Sequence, residues 1–136
     1  METANMNLTE VDFLNDQVAI VQTLQHYIDG SRSGKSELMR PGFHPDSQLV
    51  GYVGNTLLFS PIQVLYDWID QNGPAPDIEP DFASIEVLGT IAVVRLEIRQ
   101  WSGKNAGSGV HMSDIFNLIK TEEGWKISQK LFHWHS

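Results

Sequence analysis

Apolar residues recur at three- and four-residue spacing in the first part of the chain, a pattern typical of amphipathic helices. From Asn15 to Ile28 this spacing predicts one helix with a buried face, with Asn15 as its N-cap and Gly30 as a left-handed C-terminal cap. Residues 36–39 are predicted to form a short second helix. A third helix is predicted from Ser60, because serine can cap a helix and Pro61 suits its first position.

Further along the chain, apolar and polar residues alternate with a period of two, which predicts strands. Turn residues divide these strands into three hairpins, over 49–59, over 82–101, and around a final turn at 121–124. The proline-rich segment 71–81 is predicted to be a surface loop and a candidate lid. Helices packed on one face of such a sheet form an α+β cone, which is the fold class we expect.

The alignment of the second hairpin predicts which of its residues face the core. With Gly89-Thr90 as the turn, Ala83 lies opposite Leu96 on an apolar face, and Phe82 lies opposite Glu97 on a mostly polar face. One apolar and one polar face are what a half-buried antiparallel sheet requires.

The alignment of the last hairpin supplies the candidate chemistry. It places Asp114 opposite Leu131 and Met112 opposite His133, so a carboxylate lies among apolar neighbours and its pKa is expected to rise. His133 lies diagonally across the strands from Asp114, within reach of its side chain. A carboxylate and an imidazole in an apolar cavity are the groups that general acid–base catalysis needs, so Asp114 and His133 are the catalytic candidates. A structural hydrogen bond or ion pair is the alternative.

Histidines also raise the question of a metal ion. His133 and His135 share a strand face, and His111 and His44 are further donors of the same type. No third ligand occurs at a fixed spacing from His133 and His135, so the sequence predicts no metal site. No cofactor motif is found either, and we expect none to be bound.

Composition narrows the choice of partners. The chain has 136 residues, a formal charge of −8 and no cysteine. Such a charge disfavours nucleic acid as a partner, and no apolar run approaches the roughly 20 residues that cross a membrane. We expect one cytoplasmic domain over residues 1–136, with an N-terminal arm over 1–14.

Several short motifs follow one another in a specific order and spacing. They are Tyr27-Ile28-Asp29-Gly30, Phe43-His44-Pro45-Asp46, Asp114, and Gly124-Trp125-Lys126-Ile127 followed by Lys130 and Phe132. In these motifs, and over residues 15–134, the chain resembles the putative lumazine-binding branch of the nuclear-transport-factor-2-like (SnoaL-like) superfamily, which implies a cystatin-like cone. That superfamily includes ketosteroid isomerases, scytalone dehydratase, polyketide cyclases and non-catalytic modules, so the resemblance does not imply one function.

The resemblance implies a ligand pocket at the opening of the cone and a dimer through the convex face of the sheet. For Tyr27 and Trp68, a place in the core is the alternative, since both belong to the apolar stripes of their helices. The candidate ligand-binding residues are Tyr27, His44, Tyr52, Trp68, Met112, Phe116 and Leu131. The residues expected on the convex face are Val93, Arg95, Glu97, Arg99, Trp101, Ile115, Ile119, Phe132 and Trp134.

Three functions remain open from the sequence. The first is binding of a small hydrophobic or aromatic ligand by a homodimer. The second is a cofactor-independent isomerase, cyclase, dehydratase or other lyase that uses Asp114 and His133. The third is a non-catalytic dimerisation module whose cavity is filled by its own side chains.

Overall fold

The computed structural model describes residues 8–135, which form helices on one face of a six-stranded sheet. The strand order is β2-β1-β6-β5-β4-β3; β1 and β6 pair in parallel, and the other neighbours pair antiparallel. The expected α+β cone is confirmed. The elements are α1 (Leu8–Ser33), α2 (Ser36–Met39), a 3-10 turn (Arg40–Gly42), β1 (Phe43–Val53), β2 (Thr56–Pro61), α3 (Gln63–Asn72), β3 (Glu79–Leu88), β4 (Ile91–Gly103), β5 (Gly107–Thr121) and β6 (Gly124–Trp134).

Helix α1 is longer than the sequence pattern predicted. It begins at Leu8, so Asn15 is not its cap, and part of the expected arm is helical; residues 1–7 of that arm lie outside the described residues. The helix also continues past Gly30. The chain leaves it at Gly34, whose φ of 68° is left-handed, and the Lys35 N–H donates to the Gly30 carbonyl at 3.0 Å, as in a Schellman cap.

Helix α3 begins later than predicted. Ser60 and Pro61 pair with β1 as the end of β2, so neither caps the helix, and Ile62 takes the cap position without a side-chain hydrogen bond. The predicted buried stripe is nevertheless present, because Ile62, Leu65 and Ile69 are all buried. None of the helices in the described range is both long and apolar enough to cross a bilayer.

The inner face of the sheet, defined as the face that α1 covers, carries the core. Tyr27 of α1 packs edge-on against Phe116 of β5, with ring centroids 5.1 Å apart. Thr23 donates a hydrogen bond to the Trp125 carbonyl at 3.1 Å. Asp16 accepts hydrogen bonds from Lys120 and from the Trp125 indole, so α1 is held to the β5–β6 end of the sheet along its length.

The loop between α3 and β3 is partly buried. Its Ala75 and Ile78 are both buried, and the Ala75 N–H donates to the Arg32 carbonyl at the end of α1. The proline-rich segment is therefore a packed connection between helix ends over part of its length, and β3 already begins at Glu79.

Two bulges in the β3–β4 region change the predicted faces. Phe82 pairs with Leu96 and not with Glu97, because Ala83 is an extra residue between the two registers. A second irregularity follows Ile98, where Gln100 has a φ of 61°. It turns Trp101 onto the inner face, where it is buried, so its expected place on the convex face is wrong.

A bulge in β6 has the largest consequence for the site. Leu118 pairs with Ile127 as predicted, but Asn117 pairs with Gln129, so Ser128 is an additional residue in β6. Its hydroxyl donates to the Asn117 carbonyl at 3.0 Å, which satisfies the extra residue locally. Beyond this point the register is shifted by one, and every later side chain of β6 lies on the face opposite to that predicted.

The shift changes which side chains of β6 lie beside Asp114. Asp114 pairs with Phe132 and Met112 pairs with Trp134, so Phe132 and Trp134 lie on the inner face and not on the convex face. Leu131 and His133 lie on the outer face and are exposed. Lys130 takes the inner position beside Asp114.

Candidate small-molecule cavity

A cavity of about 60 Å³ lies on the inner face between α1, α3, the β1–β2 hairpin and the ends of β5 and β6. At about 15 Å³ for each water, this volume holds roughly four water molecules, so a larger ligand requires side chains around it to move. Its lining is almost wholly apolar. The lining residues are Tyr27, Leu49, Val53, Leu58, Val64, Leu65, Trp68, Trp101, Met112, Lys130, Phe132 and Trp134.

Aromatic side chains form one wall of the cavity. Trp68 of α3 contacts Trp101 and Trp134 edge-on, with centroid distances of 5.9 and 6.1 Å. Trp68 and Trp134 are partly exposed, and so are Val53 and Val64 on the other side. The cavity therefore meets solvent between the β1–β2 hairpin, α3 and the end of β6.

Lys130, Asp114 and Tyr27 form a polar group inside this apolar surround. The Lys130 side-chain nitrogen lies 3.4 Å from Oδ1 of Asp114, and the Tyr27 hydroxyl donates to Oδ2 at 3.3 Å. Asp114 is 0% exposed and Lys130 only 3%. The Lys130 nitrogen also lies over the rings of Tyr27 and Phe132, 5.4 and 5.0 Å from their centroids, which favours its positive charge.

This polar group is not fully satisfied. Among the described residues, Oδ1 of Asp114 accepts no hydrogen bond of good geometry, although the Lys130 ammonium is close enough for an ion pair. The indole nitrogen of Trp101 is likewise buried without an acceptor in that part of the chain. Unpaired polar atoms are costly in an apolar interior and point to a site where another molecule can bind.

Burial dominates the electrostatics of the group. It raises the pKa of Asp114 from its usual 3.8, and the nearby Lys130 side chain and the hydrogen bond from Tyr27 offset only part of that rise. Burial, followed by the charge of Asp114, raises the pKa of Tyr27 well above 10.0, so its phenol stays protonated as a hydrogen-bond donor. The arrangement places a carboxyl of raised pKa, which is a stronger proton acceptor than an ordinary aspartate carboxylate, next to the Lys130 side-chain nitrogen.

The structure brings together only some of the residues singled out from the sequence. Asp114 is buried on the inner face, as predicted, but His133 does not approach it. Tyr27, Trp68 and Met112 line the cavity, whereas Phe116 lies in the core beneath it. The remaining candidates point elsewhere: Tyr52 and Leu131 are exposed on the outer face, and His44 accepts a hydrogen bond from the Asp46 N–H at the start of β1.

Sequence reasoning identified Tyr27, Trp68 and Met112 of the cavity lining and missed the other lining residues, Lys130 and Trp101 among them. A signal for Lys130 was present, because Lys130, Phe132 and Trp134 alternate and the two aromatic residues are more typical of a covered face than His133 is. The segment 71–81, predicted as a candidate lid, contributes no residue to the lining found in the described chain, so the structure gives no support to that role.

The fold matches solved structures of one class. The chain is similar to an NTF2-like protein of unknown function from Shewanella baltica OS155, with 32% identity, a TM-score of 0.82, and 97% of this chain and 99% of that chain covered. It is also similar to an NTF2-like protein of unknown function from Methylobacillus flagellatus KT, with 33% identity, a TM-score of 0.79, and both chains covered in full.

Sequence comparison gives the family. The model of the family described as "Putative lumazine-binding" matches residues 15–133, and the chain belongs to that family. A relative of named activity, the aldolase FrzH from Cladobotryum sp., is 27% identical over 115 residues, which cover 85% of this chain and 88% of FrzH.

Proposed function

We propose that the cavity binds a small, mostly apolar molecule that carries a carbonyl or a similar acceptor. The observation that supports this most strongly is the buried Lys130–Asp114 pair in an otherwise apolar lining. An ammonium has three donors, and the aromatic rings around Lys130 accept hydrogen bonds poorly. A carbonyl oxygen placed beside Lys130 would accept one of them, while the ligand's carbon skeleton contacts Trp68, Trp101 and Phe132.

Titration calorimetry with cyclohexanone and larger cyclic ketones tests this proposal. We expect saturable binding to the wild-type protein and binding weaker by about 10- to 100-fold in Lys130→Met, the loss of one hydrogen bond to a charged group. Lys104→Met is the matched control, because Lys104 is exposed in the β4–β5 turn, away from the cavity. Equal affinity in the two variants, or no saturable binding to the wild type, would contradict the proposal.

A second candidate function is proton transfer at the carbon beside the ligand's carbonyl. Two observations favour it: the buried amine–carboxyl pair, and a relative that is named an aldolase. Lys130 donates a hydrogen bond to the carbonyl oxygen of the ligand. The C–H bond beside the carbonyl breaks, its electron pair forms the enolate double bond, the negative charge moves to that oxygen, and the proton goes to Oδ1 of Asp114, which accepts no hydrogen bond among the described residues. The hydrogen bond from the Tyr27 hydroxyl to Oδ2 keeps Asp114 oriented.

Deuterium exchange measures this step without knowledge of the natural substrate. In D₂O, we expect the wild-type protein to speed exchange of the protons beside the cyclohexanone carbonyl by at least about 10²-fold over Lys130→Met. Lys104→Met should retain the wild-type rate. If the ketone binds and exchange in the wild type equals that in Lys130→Met, the protein is a binder and the catalytic candidate falls.

We also propose that the outer face forms a homodimer. Large apolar side chains are exposed there on neighbouring strands, among them Phe59 (64% exposed), Leu57 and Tyr52 on the hairpin, and Leu131 and Ile115 at the centre. A contiguous apolar surface across a sheet is typical of a protein–protein contact.

Sedimentation velocity tests the dimer. Phe59→Lys is expected to shift the protein towards the monomer, because it replaces the most exposed large apolar side chain of this surface by a charged one. Val18→Lys on α1 introduces the same charge at an equally exposed position on the helical side (58% exposed) and should leave the dimer intact. A wild-type protein that sediments as a monomer at high concentration would rule the dimer out.

A further inference from the structure

A cluster of imidazole and carboxylate groups lies on the outer face, across β4, β5 and β6. His111 and His135 are neighbours across β5 and β6, where the His135 N–H donates to the His111 carbonyl at 3.0 Å. Glu97 of β4 lies opposite Ser113, two residues along β5 from His111. None of these side chains contributes to the cavity lining in the described chain, so the cluster is separate from the site proposed above.

The ligand atoms of this cluster converge. One nitrogen of each histidine and one oxygen of Glu97 all lie within 4.8 Å of one another. The His111 Nε2 is 2.7 Å from Oε1 of Glu97, and the imidazole rings of His111 and His135 stack with centroids 4.1 Å apart. The ring of His133 stands edge-on to that of His135 at 4.6 Å.

A single hydroxyl shows how close the convergence is. Ser113 donates a hydrogen bond to Oε1 of Glu97 and also lies 2.8 Å from Nε2 of His135. One small polar group between two strands thus contacts both the carboxylate and an imidazole. An ion at this position requires the ligand atoms to close to about 2.0–2.2 Å from it, so the stacked rings of His111 and His135 must rotate until both nitrogens point at the ion.

The Glu97 carboxylate is held in a fixed orientation by a neighbouring side chain. Glu97 is buried, and its second oxygen, Oε2, accepts a hydrogen bond from Arg95 Nε at 2.8 Å, which fixes the plane of the carboxylate and directs Oε1 towards the histidines. Such an outer contact orients a ligand and supports its charge. Arg95 and the nearby Arg99 also place positive charge around the cluster, which weakens its attraction for a cation.

We propose that Glu97, His111 and His135 form a binding site for a divalent transition-metal ion of the zinc class. Two imidazole nitrogens and one carboxylate oxygen are the donor set that Zn²⁺ takes in open sites, where a solvent molecule completes the tetrahedron. The sequence did not predict this site because its ligands come from three strands, and the register of the last strand determines that His135 faces His111.

Calorimetric titration of the full-length, tag-free protein with Zn²⁺ after EDTA treatment tests the proposal. We expect one ion per chain, and affinity at least tenfold lower in His111→Gln and in His135→Gln. His26→Gln is the matched control, because His26 is exposed on α1, and it should bind as the wild type does. Co²⁺ in place of Zn²⁺ should give the intense visible absorption of a tetrahedral complex, and that absorption should be lost in His135→Gln.

The outcomes separate a site from adventitious binding. No binding to the wild type overturns the proposal, and so does equal affinity in all three histidine variants. His135→Gln is expected to fold as the wild type does, because His135 is exposed at the end of β6. An unchanged far-ultraviolet circular dichroism spectrum of this variant verifies that its fold is intact.

Discussion

Replacing Lys130 by methionine is expected to lower the free energy of unfolding by about 3–5 kcal/mol, the usual cost of removing one partner from a buried ion pair. The variant leaves the Asp114 carboxyl, which is fully buried, without a positive charge beside it. Urea unfolding followed by tryptophan fluorescence measures the loss. Lys104→Met should change stability by less than about 0.5 kcal/mol, as surface substitutions do.

The double variant Asp114→Asn, Lys130→Met separates a lost ion pair from a lost packing contact. The side-chain carbonyl of asparagine can still accept the hydrogen bond from the Tyr27 hydroxyl, and no unpaired charge remains in the cavity wall. The double variant should therefore be more stable than Lys130→Met alone. If it is less stable by the full sum of the two single changes, the pair has no energetic coupling.

The loss in Lys130→Met should also depend on pH. The pKa of Asp114 is already raised by burial, and removal of Lys130 takes away the largest influence that lowers it. A carboxyl whose folded-state pKa lies above its unfolded value binds protons more readily when folded, so stability falls as pH rises through the folded pKa. Lys130→Met is thus expected to be closer to the wild type in mildly acidic buffer than above neutrality, and a pH-independent difference would contradict this account.

Replacing Gly34 by alanine is expected to destabilise the protein by about 3 kcal/mol or more. Gly34 has a φ of 68°, and a Cβ there would lie 2.2 Å from the Gly73 carbonyl carbon and 2.4 Å from the Pro74 nitrogen. Left-handed backbone alone costs alanine about 1–2 kcal/mol. The contact adds more, because both neighbours are backbone atoms that a side-chain rotation cannot move.

Gly89→Ala provides the matched control for this prediction. Gly89 has a similar φ of 62°, but a Cβ there would meet open space. Its variant should lose only the conformational part, about 1–2 kcal/mol. Thermal unfolding of both variants compares them directly, and equal shifts in melting temperature would mean that the ends of α1 and α3 do not approach as closely as described.

Much of the fold follows from the sequence because its signals are local. Helices α1 and α3 each carry an apolar stripe whose spacing predicts one buried face, and all the residues of both stripes are buried. The stripes are Ile20, Leu24 and Ile28 in α1, and Ile62, Leu65 and Ile69 at α3. The turns at 54–55, 89–90 and 121–124 contain residues suited to hairpins. The bounds of the helices were less well predicted, because Ser60 and Pro61 are equally able to end a strand, and pairing with β1 decides between the two.

Registers beyond a bulge could not be predicted from alternation alone. An extra residue such as Ala83 or Ser128 changes which face later residues occupy, and its cause is pairing with a strand distant in sequence. The burial of Asp114 on the inner face was predicted correctly, because Asp114 lies on β5 in an unbroken alternation with Met112 and Phe116. Its partner was not, because Lys130 lies on the far side of the bulge.

The single surplus residue at Ser128 couples the two surfaces of the sheet. Removing it from the chain would rotate the last part of β6 by half a turn, so Lys130, Phe132 and Trp134 would exchange places with Leu131, His133 and His135. The residues that face the cavity and those that face the proposed metal site therefore alternate along the same segment of the chain. The presence of one extra residue, more than the identity of any side chain, decides which set faces which side of the sheet.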